Sequence, residues 1–284
     1  MVLVKNPLIS IILPTYNGEC YIAESVCSII SQTYSNWELI IVNDSSTDNT
    51  PKIIDALKLS DSRIKVIHNL ENKKLPEALN IGFRKANGDL LTWTSDDNIY
   101  LPNALSELAK LFILDGNLGF AFSSQEIIDE EGKTKELSIP KYKLADLAYK
   151  NICGGCFMYT KEAAKMVGFY DSSLFCAEDY DYFCRLALKT KILYYPKILY
   201  KYRKHSKNLS ITKKNIADKN ANIVRLKYAE NLMNKYEVSI FEAQYIYYKL
   251  FKLTGRICFL LKCITYNPLN IIKILIWKLK LLIN

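Results

Sequence analysis

Residues 90–98 have the sequence Leu-Leu-Thr-Trp-Thr-Ser-Asp-Asp-Asn, a mainly apolar run that ends in two adjacent carboxylates. A short apolar run bounded by polar turn residues is typical of a buried strand. The same pattern occurs upstream at residues 8–13, 37–42 and 64–68. The sequence therefore predicts that four buried strands lie in this first part of the chain.

Helices are predicted between and after these strands, at residues 22–33, 52–59, 75–87 and 102–114. This alternation predicts an α/β fold, in which a mostly parallel sheet is covered by helices on both faces. Ligands of such sheets bind at the carboxyl ends of the strands. Three of the strands are followed by polar residues, which are Thr15-Tyr16-Asn17, Asn43-Asp44 and Asp96-Asp97. We expect these three clusters to meet at one edge of the sheet.

The alternation becomes less regular beyond residue 119. The pattern predicts strands at 120–123, 127–128, 192–195 and 198–203, and helices at 161–167 and 179–189. Long helices are then predicted at 215–237, 240–264 and 268–283. The sequence thus predicts an α/β domain over residues 1–205 and a helical extension over residues 206–284.

The net charge of +9 is unevenly distributed along the chain. Residues 1–199 contain 21 lysines and arginines against 25 acidic residues, whereas residues 200–284 contain 17 against 4. A basic extension indicates an anionic partner, either membrane phospholipid or nucleic acid. A nucleic-acid binder should also carry basic and aromatic residues together on its main domain, and this domain is net negative. The charge pattern therefore favours a membrane surface and no nucleic acid.

The first ten residues show no long apolar run and no small-residue cleavage site, so we expect no signal peptide and a cytoplasmic location. The eight cysteines are then expected to be reduced thiols. Cys153 and Cys156 form a CxxC pair, but a structural zinc site needs about four ligands and no second pair has suitable spacing. We therefore expect no structural zinc.

The end of the chain contains lysines within an otherwise apolar sequence. Lysines and arginines interrupt every stretch that approaches the length of a membrane span, so no spanning helix is expected. Residues 271–283 are apolar around most of a helical circumference and include Trp277 and several lysines. This pattern favours a helix lying on an anionic leaflet, at the inner face of the cell membrane. The alternatives are packing on the α/β domain or on a second subunit, so a homo-oligomer is left open.

Six segments of the chain, in this order and at these separations, resemble the family 2 glycosyltransferases of the GT-A fold. They are Ser-Ile-Ile-Leu-Pro-Thr-Tyr-Asn (10–17), Ser-Gln-Thr-Tyr (31–34), Trp-Glu-Leu-Ile-Ile-Val-Asn-Asp-Ser-Ser-Thr-Asp (37–48), Ala-Asn-Gly-Asp (86–89), Thr-Ser-Asp-Asp-Asn (94–98) and Ala-Glu-Asp-Tyr-Asp (177–181). The resemblance implies a GT-A, Rossmann-like domain. It also implies an inverting enzyme that moves a sugar from a nucleotide-diphosphate sugar to a hydroxyl group.

Asp96 and Asp97 suit the diphosphate of such a donor. A nucleoside diphosphate gains negative charge as its bond to the sugar breaks, and Mn²⁺ or Mg²⁺ bound by carboxylates can neutralise that charge. Adjacent side chains of an extended segment diverge. We therefore expect Asp97 to bind the metal and Asp96 to face the ribose or a water on the metal. The alternative is a surface turn in which the two aspartates cap the next helix.

The resemblance assigns the nucleotide base to the ends of the first two strands. It implies that Asp44 accepts a hydrogen bond from the base and that Tyr16 stacks on it, which agrees with the chemistry of a carboxylate and an aromatic ring. Pro14, Thr15 and Asn17 belong to the same donor-binding segment. The alternatives are a cap on the following loop for Asp44 and a core position for Tyr16.

Asp179 corresponds to the catalytic base of the family. Inverting transfer needs a carboxylate that takes the proton of the acceptor hydroxyl as its oxygen attacks. Glu178 is expected to orient the acceptor or neighbouring groups, and Arg185 to pair with an acid or a phosphate. The alternative is a helix N-terminus enriched in acidic residues, here Glu178, Asp179 and Asp181, which favour the helix dipole.

The expected reaction uses a UDP-sugar and a glycan or lipid-linked acceptor, as in cell-envelope polysaccharide synthesis. One rival is a nucleotidyltransferase of sugar phosphates, but the segment 14–19 has one glycine and no basic residue to form a phosphate loop. The other rival is a non-catalytic relative that only binds nucleotide sugars. The presence of Asp44, Asp96, Asp97 and Asp179 argues against it.

Overall fold

The computed structural model describes residues 5–137 and 141–266. Its strands are β1 (Ile9–Thr15), β2 (Trp37–Asn43), β3 (Ile64–His68), β4 (Leu90–Trp93), β5 (Ile99–Tyr100), β6 (Leu118–Ile128), β7 (Thr134–Leu137), β8 (Phe157–Thr160) and β9 (Lys191–Arg203). Its helices are α1 (Ile22–Ile30), α2 (Thr50–Ser60), α3 (Lys74–Phe83), α4 (Ala104–Leu114), α5 (Lys161–Val167), α6 (Glu178–Lys189), α7 (Leu209–Thr212), α8 (Lys214–Lys235), α9 (Ile240–Thr254) and α10 (Ile257–Tyr266).

The chain divides into two compact units. The first contains the residues up to Tyr142 together with Cys153–Ala221, and the second contains Lys143–Ile152 and the chain from Asn222 onward. This division differs from the sequence prediction, which separates the α/β domain from the helical extension at residue 205. The first unit continues past β9 through α7 into α8, and a short segment before Cys153 belongs to the second unit.

The described strands of the first unit form one mixed sheet in the order β3-β2-β1-β4-β8-β6-β9-β5, with β7 paired to β6. β3, β2, β1 and β4 are parallel, whereas β8 runs antiparallel to both β4 and β6. The register places Thr15 beside Asn43, and Asn43 beside His68. The carboxyl ends of the parallel strands therefore lie at one edge, as the sequence predicts.

Burial explains why these segments form strands. All seven residues of β1 and all seven of β2 are buried, which is typical of a parallel sheet covered on both faces. The core around them includes Ile9, Ile11 and Leu13 of β1 and Leu39 and Ile41 of β2. Regular backbone ends where these apolar runs end, so the polar residues that follow are held at the sheet edge.

Several element boundaries differ from the sequence prediction. The two short strands predicted near 120–128 are one strand, β6, and the two predicted near 192–203 are one strand, β9. The helix predicted over 240–264 is broken because Gly255 adopts a left-handed conformation, with φ of +69°, and ends α9. The helix predicted at 268–283 lies outside the described residues. No helix in the described ranges has the length and apolar content of a membrane span.

Candidate functional site

Thr15 and Asp96 join the ends of β1 and β4. Thr15 Oγ1 donates a hydrogen bond of 2.5 Å to Asp96 Oδ2. Burial and the neighbouring charge of Asp97 raise the pKa of Asp96 to about 7, although the bond from Thr15 acts in the opposite direction. Gly18 makes the contact possible, because a Cβ there would lie 2.2 Å from Asp96 Oδ2. Asp96 is therefore held against β1.

Asp44 is a buried carboxylate at the end of β2. Its Oδ1 accepts hydrogen bonds from Asn69 Nδ2 at 2.8 Å and from the backbone N–H of Lys73 at 2.9 Å. Its own N–H donates to the carbonyl of Thr15 at 2.9 Å, which fixes it beside the end of β1. Both donors bind the same oxygen, so the orientation of the carboxylate is set by the protein.

The segment after β1 contains Tyr16 and Asn17. Tyr16 is 53% exposed, so the alternative reading of this residue as a core aromatic is wrong. Asn17 has a φ of +55°, and its Oδ1 accepts from the N–H of Thr47 at 2.8 Å. Its N–H donates to Ser46 Oγ at 2.9 Å. Asn17 thus ties the loop after β1 to the loop after β2, while Tyr16 offers an open ring face.

Asp97 points away from Asp96 and meets residues that follow β9. Its Oδ2 accepts from His205 Nε2 at 2.9 Å and from Asn208 Nδ2 at 3.1 Å. Its Oδ1 is buried and has no hydrogen-bond partner in the protein. A buried carboxylate oxygen without a partner is costly, so this atom is suited to a ligand that brings positive charge.

Arg203 is a buried residue that holds the backbone of Asp97 in place. Only 2% of its surface is exposed, and its Nε donates to the carbonyl of Asp97 at 3.0 Å. Its other nitrogens donate to the carbonyl of Glu130 at 2.9 Å and to the carboxylate of Glu24 at 2.5 Å. The guanidinium also lies 4.6 Å from the ring of Tyr21. Arg203 therefore fixes the backbone on which Asp97 stands.

The residues around Asp97 fit a divalent cation. Residues 5–137 and 141–266 contain no group of three or more His, Cys, Asp or Glu side chains arranged as a metal site. Asp97 and His205 nevertheless form an adjacent pair beside an unpartnered carboxylate oxygen. Mg²⁺ and similar ions often use one or two protein ligands and take the rest from water and substrate phosphates. A divalent cation at Asp97 and His205 would therefore need oxygens of a bound diphosphate as further ligands.

Glu178 and Asp179 begin helix α6. Glu178 is 3% exposed, and its Oε2 is buried without a hydrogen-bond partner in the protein. Burial and, to a smaller extent, the charge of Asp179 raise the pKa of Glu178 to about 8. Asp179 Oδ1 accepts from the N–H of Tyr180 at 2.6 Å. The two neighbouring acids therefore differ in their surroundings. Burial favours the neutral form of Glu178, whereas the carboxylate of Asp179 accepts a backbone hydrogen bond.

Tyr202 connects the two acidic parts of the site. Burial raises the pKa of its phenol, a hydrogen bond with Ser210 lowers it, and the negative charges of Asp97 and Asp179 raise it further. One side chain on β9 is thus within electrostatic range of both carboxylates. Tyr202 therefore lies where the charges of both carboxylates disfavour its ionisation.

Arg185 has its partners within the protein. Its Nε donates to Asp181 Oδ2 at 2.7 Å, and its terminal nitrogens donate to the carbonyls of Val167 at 2.5 Å and Phe169 at 3.0 Å. These bonds anchor α6 to the chain that follows α5. Binding of substrate by Arg185 stays a prediction, and the contacts in the structure give it an anchoring role.

Sequence analysis missed three residues of this site, Tyr202, His205 and Asn208. They lie at the end of β9 and in the turn after it, and they belong to none of the motifs that carry the family resemblance. The chain contains two histidines, and one of them, His205, follows the strand predicted at 198–203. That position is the signal in the sequence that could have pointed to His205.

The chain is similar to known glycosyltransferases in sequence and in fold. The family model "Glycosyl transferase family 2" matches residues 10–168. An uncharacterized glycosyltransferase of Rickettsia felis is 29% identical over 253 residues, which are 85% of this chain and 41% of that protein. The chain therefore spans less than half the length of that relative.

Two further matches have more specific names. The Escherichia coli UDP-Glc:alpha-D-GlcNAc-diphosphoundecaprenol beta-1,3-glucosyltransferase WfgD is 35% identical over 149 residues, which are 52% of this chain and 58% of that protein. The solved structure of a mannosyltransferase from Pyrobaculum calidifontis, in complex with GDP-Man and Mn²⁺, has a TM-score of 0.65 and 14% identity. That match covers 99% of this chain and 82% of the other, and it concerns the fold alone.

The mixed sheet, the helices on its faces and the acidic residues at the strand ends define a GT-A fold. The chain belongs to glycosyltransferase family 2, because the family model covers more than half of it.

Proposed function

We propose that this protein is an inverting glycosyltransferase that moves a sugar from a UDP-sugar to a hydroxyl group of a lipid-linked or glycan acceptor. The observation that carries the proposal is the set of carboxylates at the strand ends, where Asp44 is held in one orientation and Asp97 has a buried oxygen without a hydrogen-bond partner. The name of the related WfgD supports UDP and a lipid-linked acceptor.

The donor nucleotide is assigned to the ends of β1, β2 and β4. The exposed ring of Tyr16 supplies a stacking surface, and the oriented carboxylate of Asp44 accepts from a ring N–H of the base. Thr15 and Asp96 lie beside them and bind the ribose. Pro14 is the penultimate residue of β1 and sets the direction of the segment that carries Thr15 and Tyr16.

The diphosphate is assigned to Asp97. Mn²⁺ or Mg²⁺ would be held by Asp97 with His205, with Asp96 acting through a water, and would neutralise the charge of the leaving diphosphate. Asn208 and Arg203 hold Asp97 in place through its side chain and its backbone. These residues therefore set where the diphosphate lies before transfer begins.

Asp179 performs the proton transfer. Its carboxylate takes the proton of the acceptor hydroxyl, the hydroxyl oxygen attacks the anomeric carbon, and the bond from that carbon to the diphosphate oxygen breaks. The products are the glycosylated acceptor, with inverted anomeric configuration, and UDP. General base catalysis of this kind contributes roughly 10²–10⁴-fold to the rate.

The test is a transfer assay with a set of UDP-sugars and a polyprenyl-diphosphate-linked sugar as acceptor. Asp179→Asn should lower the rate of transfer by about 10²–10⁴-fold and leave UDP affinity nearly unchanged. The control is Asp115→Asn, which removes a carboxylate that precedes β6 at the opposite edge of the sheet and pairs with Lys191. Equal transfer by wild type and Asp179→Asn would remove the base assignment.

The proposed location of the protein is the inner face of the cell membrane. The basic C-terminal helices of the extension would bind it there as a peripheral protein. Residues 200–284 carry the excess positive charge that an anionic leaflet attracts. Deletion of residues 268–284 should weaken binding to anionic vesicles. Unchanged binding would favour packing of this segment on the protein itself or on a second subunit.

A further inference from the structure

Helix α9 of the second unit has one buried and one exposed face. Its buried residues Ala243, Ile246, Tyr247 and Leu250 recur at intervals of three and four, which defines one side of a helix. Tyr247 stacks on Phe259 of α10, with ring centroids 6.2 Å apart. Gln244 Nε2 also donates to the carbonyl of Cys263 at 3.2 Å. The inward face of α9 is therefore occupied by α10.

The opposite face carries aromatic rings and lysines. Phe241, Tyr245, Tyr248 and Lys252 are spaced by four, three and four residues, so they lie along one side of the helix. Phe241 is 70% exposed and Tyr245 is 50% exposed. The ammonium groups of Lys249 and Lys252 lie 5.1 Å and 5.7 Å from the rings of Tyr245 and Tyr248. These five residues are called here the aromatic–lysine stripe.

The segment that carries the stripe is basic, although Lys262 pairs with Glu230 of α8. From Ala243 to Tyr266 the sequence contains Lys249, Lys252, Arg256 and Lys262 and no aspartate or glutamate. Glu242, just before this segment, forms an ion pair with Lys143 and bonds to Ser239 at the start of α9. The exposed rings therefore lie beside Lys249 and Lys252, and the acidic side chains Glu242 and Glu230 already form ion pairs with Lys143 and Lys262.

We infer that the aromatic–lysine stripe of α9 binds the surface of an anionic lipid bilayer. Aromatic rings of this kind sit at the level of lipid headgroups, while lysine stems cover apolar surface and keep their charge in water. α10 adds exposed apolar side chains at Ile257 and Leu261. The inference deepens the proposed function and rests on it, since a lipid-linked acceptor lies in a bilayer.

A protein partner fits this surface less well. In a symmetric dimer the same patch meets itself, so Lys249 and Lys252 would face the lysines of the second copy. The centres of protein interfaces are also depleted in lysine. An anionic leaflet instead attracts each lysine near its surface, which strengthens binding by roughly fivefold per residue.

The test is co-sedimentation of the full chain with vesicles. Wild type should bind phosphatidylcholine vesicles weakly and vesicles that also contain phosphatidylglycerol strongly. A variant with Phe241→Ser, Lys249→Gln and Lys252→Gln should lose binding to the anionic vesicles by roughly twentyfold or more. Binding of this variant equal to wild type would overturn the inference, and so would a wild type that binds neither vesicle.

The matched control is Leu70→Ser with Lys52→Gln and Lys58→Gln, which removes one exposed apolar residue and two exposed lysines from the first unit. It should bind vesicles like wild type and melt at a similar temperature. A dimer that dissociates only in the stripe variant, with vesicle binding unchanged, would instead assign the stripe to a second copy. UDP affinity separates the two proposals: a wild type that binds anionic vesicles but no UDP contradicts the proposed function and supports the membrane surface.

Discussion

Nε2 of His205 lies 2.9 Å from Oδ2 of Asp97, although the two residues are 108 positions apart in the chain. Pairing of the short strand β5 with β9 brings them together, with Ile99 beside Lys201 and Tyr100 beside Tyr200. Asn98 Oδ1 also accepts from the N–H of Arg203 at 2.8 Å, which fixes the end of β9 next to the Asp97 loop. The position of His205 is thus a consequence of the sheet.

His205→Ala should weaken metal-dependent nucleotide binding. The substitution removes one proposed ligand and the hydrogen bond that orients Asp97, and losses of such contacts typically cost 10–100-fold, so we expect a loss of about that size in apparent Mn²⁺ affinity. Calorimetric titration of Mn²⁺ into the protein in the presence of UDP measures it. UDP binding without metal should change little, because Asp44 and Tyr16 are untouched.

The control for this experiment is His68→Ala, which removes the only other histidine. His68 lies near Asn43 and Asp55, at 3.0 and 3.2 Å, and not near Asp97. Equal Mn²⁺ affinity for wild type and His205→Ala would contradict a role for His205 at the metal. Insensitivity of UDP binding to a chelator would contradict the metal role of Asp97 as well.

The parallel part of the sheet could be predicted from the sequence, and the far side of the site could not. Strands β1, β2 and β4 are apolar runs followed by polar residues. The local sequence pattern is therefore enough to locate Thr15, Asp44 and Asp96 at the strand ends. Tyr202, His205 and Asn208 reach the site through long-range pairing of β9 with β6 and β5. Local patterns carry no information on such pairing, because its partners are far apart in the chain.

Because the pKa of Glu178 is raised in the folded protein, the free energy of unfolding depends on pH. Below about pH 4.5 the group is protonated in both the folded and the unfolded chain, so it has no effect. Between that pH and about 8 the unfolded chain releases the proton and the folded chain keeps it, so stability falls as pH rises.

Glu178→Gln should therefore gain stability relative to wild type as pH rises. Glutamine is similar in shape to the protonated acid and does not titrate, so the difference in free energy of unfolding should grow between pH 5 and pH 8. Urea unfolding of both proteins at several pH values measures this difference. Glu136→Gln, at an exposed position of β7, serves as control. A difference that stays constant across this range would contradict the neutral state of Glu178.

Arg203→Lys should destabilise the first unit. Lysine keeps the charge but cannot reach the carbonyls of Asp97 and Glu130 together with Glu24, so buried acceptors lose their donor. Bonds from charged groups contribute about 1.5–3 kcal/mol each, and we expect a loss of at least that size. Thermal unfolding measures it, and Arg84→Lys is the control because Arg84 pairs with Glu77 at the surface. Similar losses for both variants would mean that Arg203 contributes no more than an exposed ion pair.

Gly18→Ala should lower nucleotide affinity without removing any binding group. The new Cβ would lie 2.2 Å from Asp96 Oδ2 and 2.6 Å from Thr15 Oγ1, so the contact between these side chains has to open. Overpacking of this kind costs about 1–3 kcal/mol, and we expect UDP affinity to fall roughly tenfold. Gly168→Ala is the matched control, because φ there is +79° and nothing lies within 4 Å of the added Cβ. That control should lose stability through backbone strain and keep its UDP affinity, whereas full affinity in Gly18→Ala would mean that the Thr15–Asp96 contact does not shape the donor site.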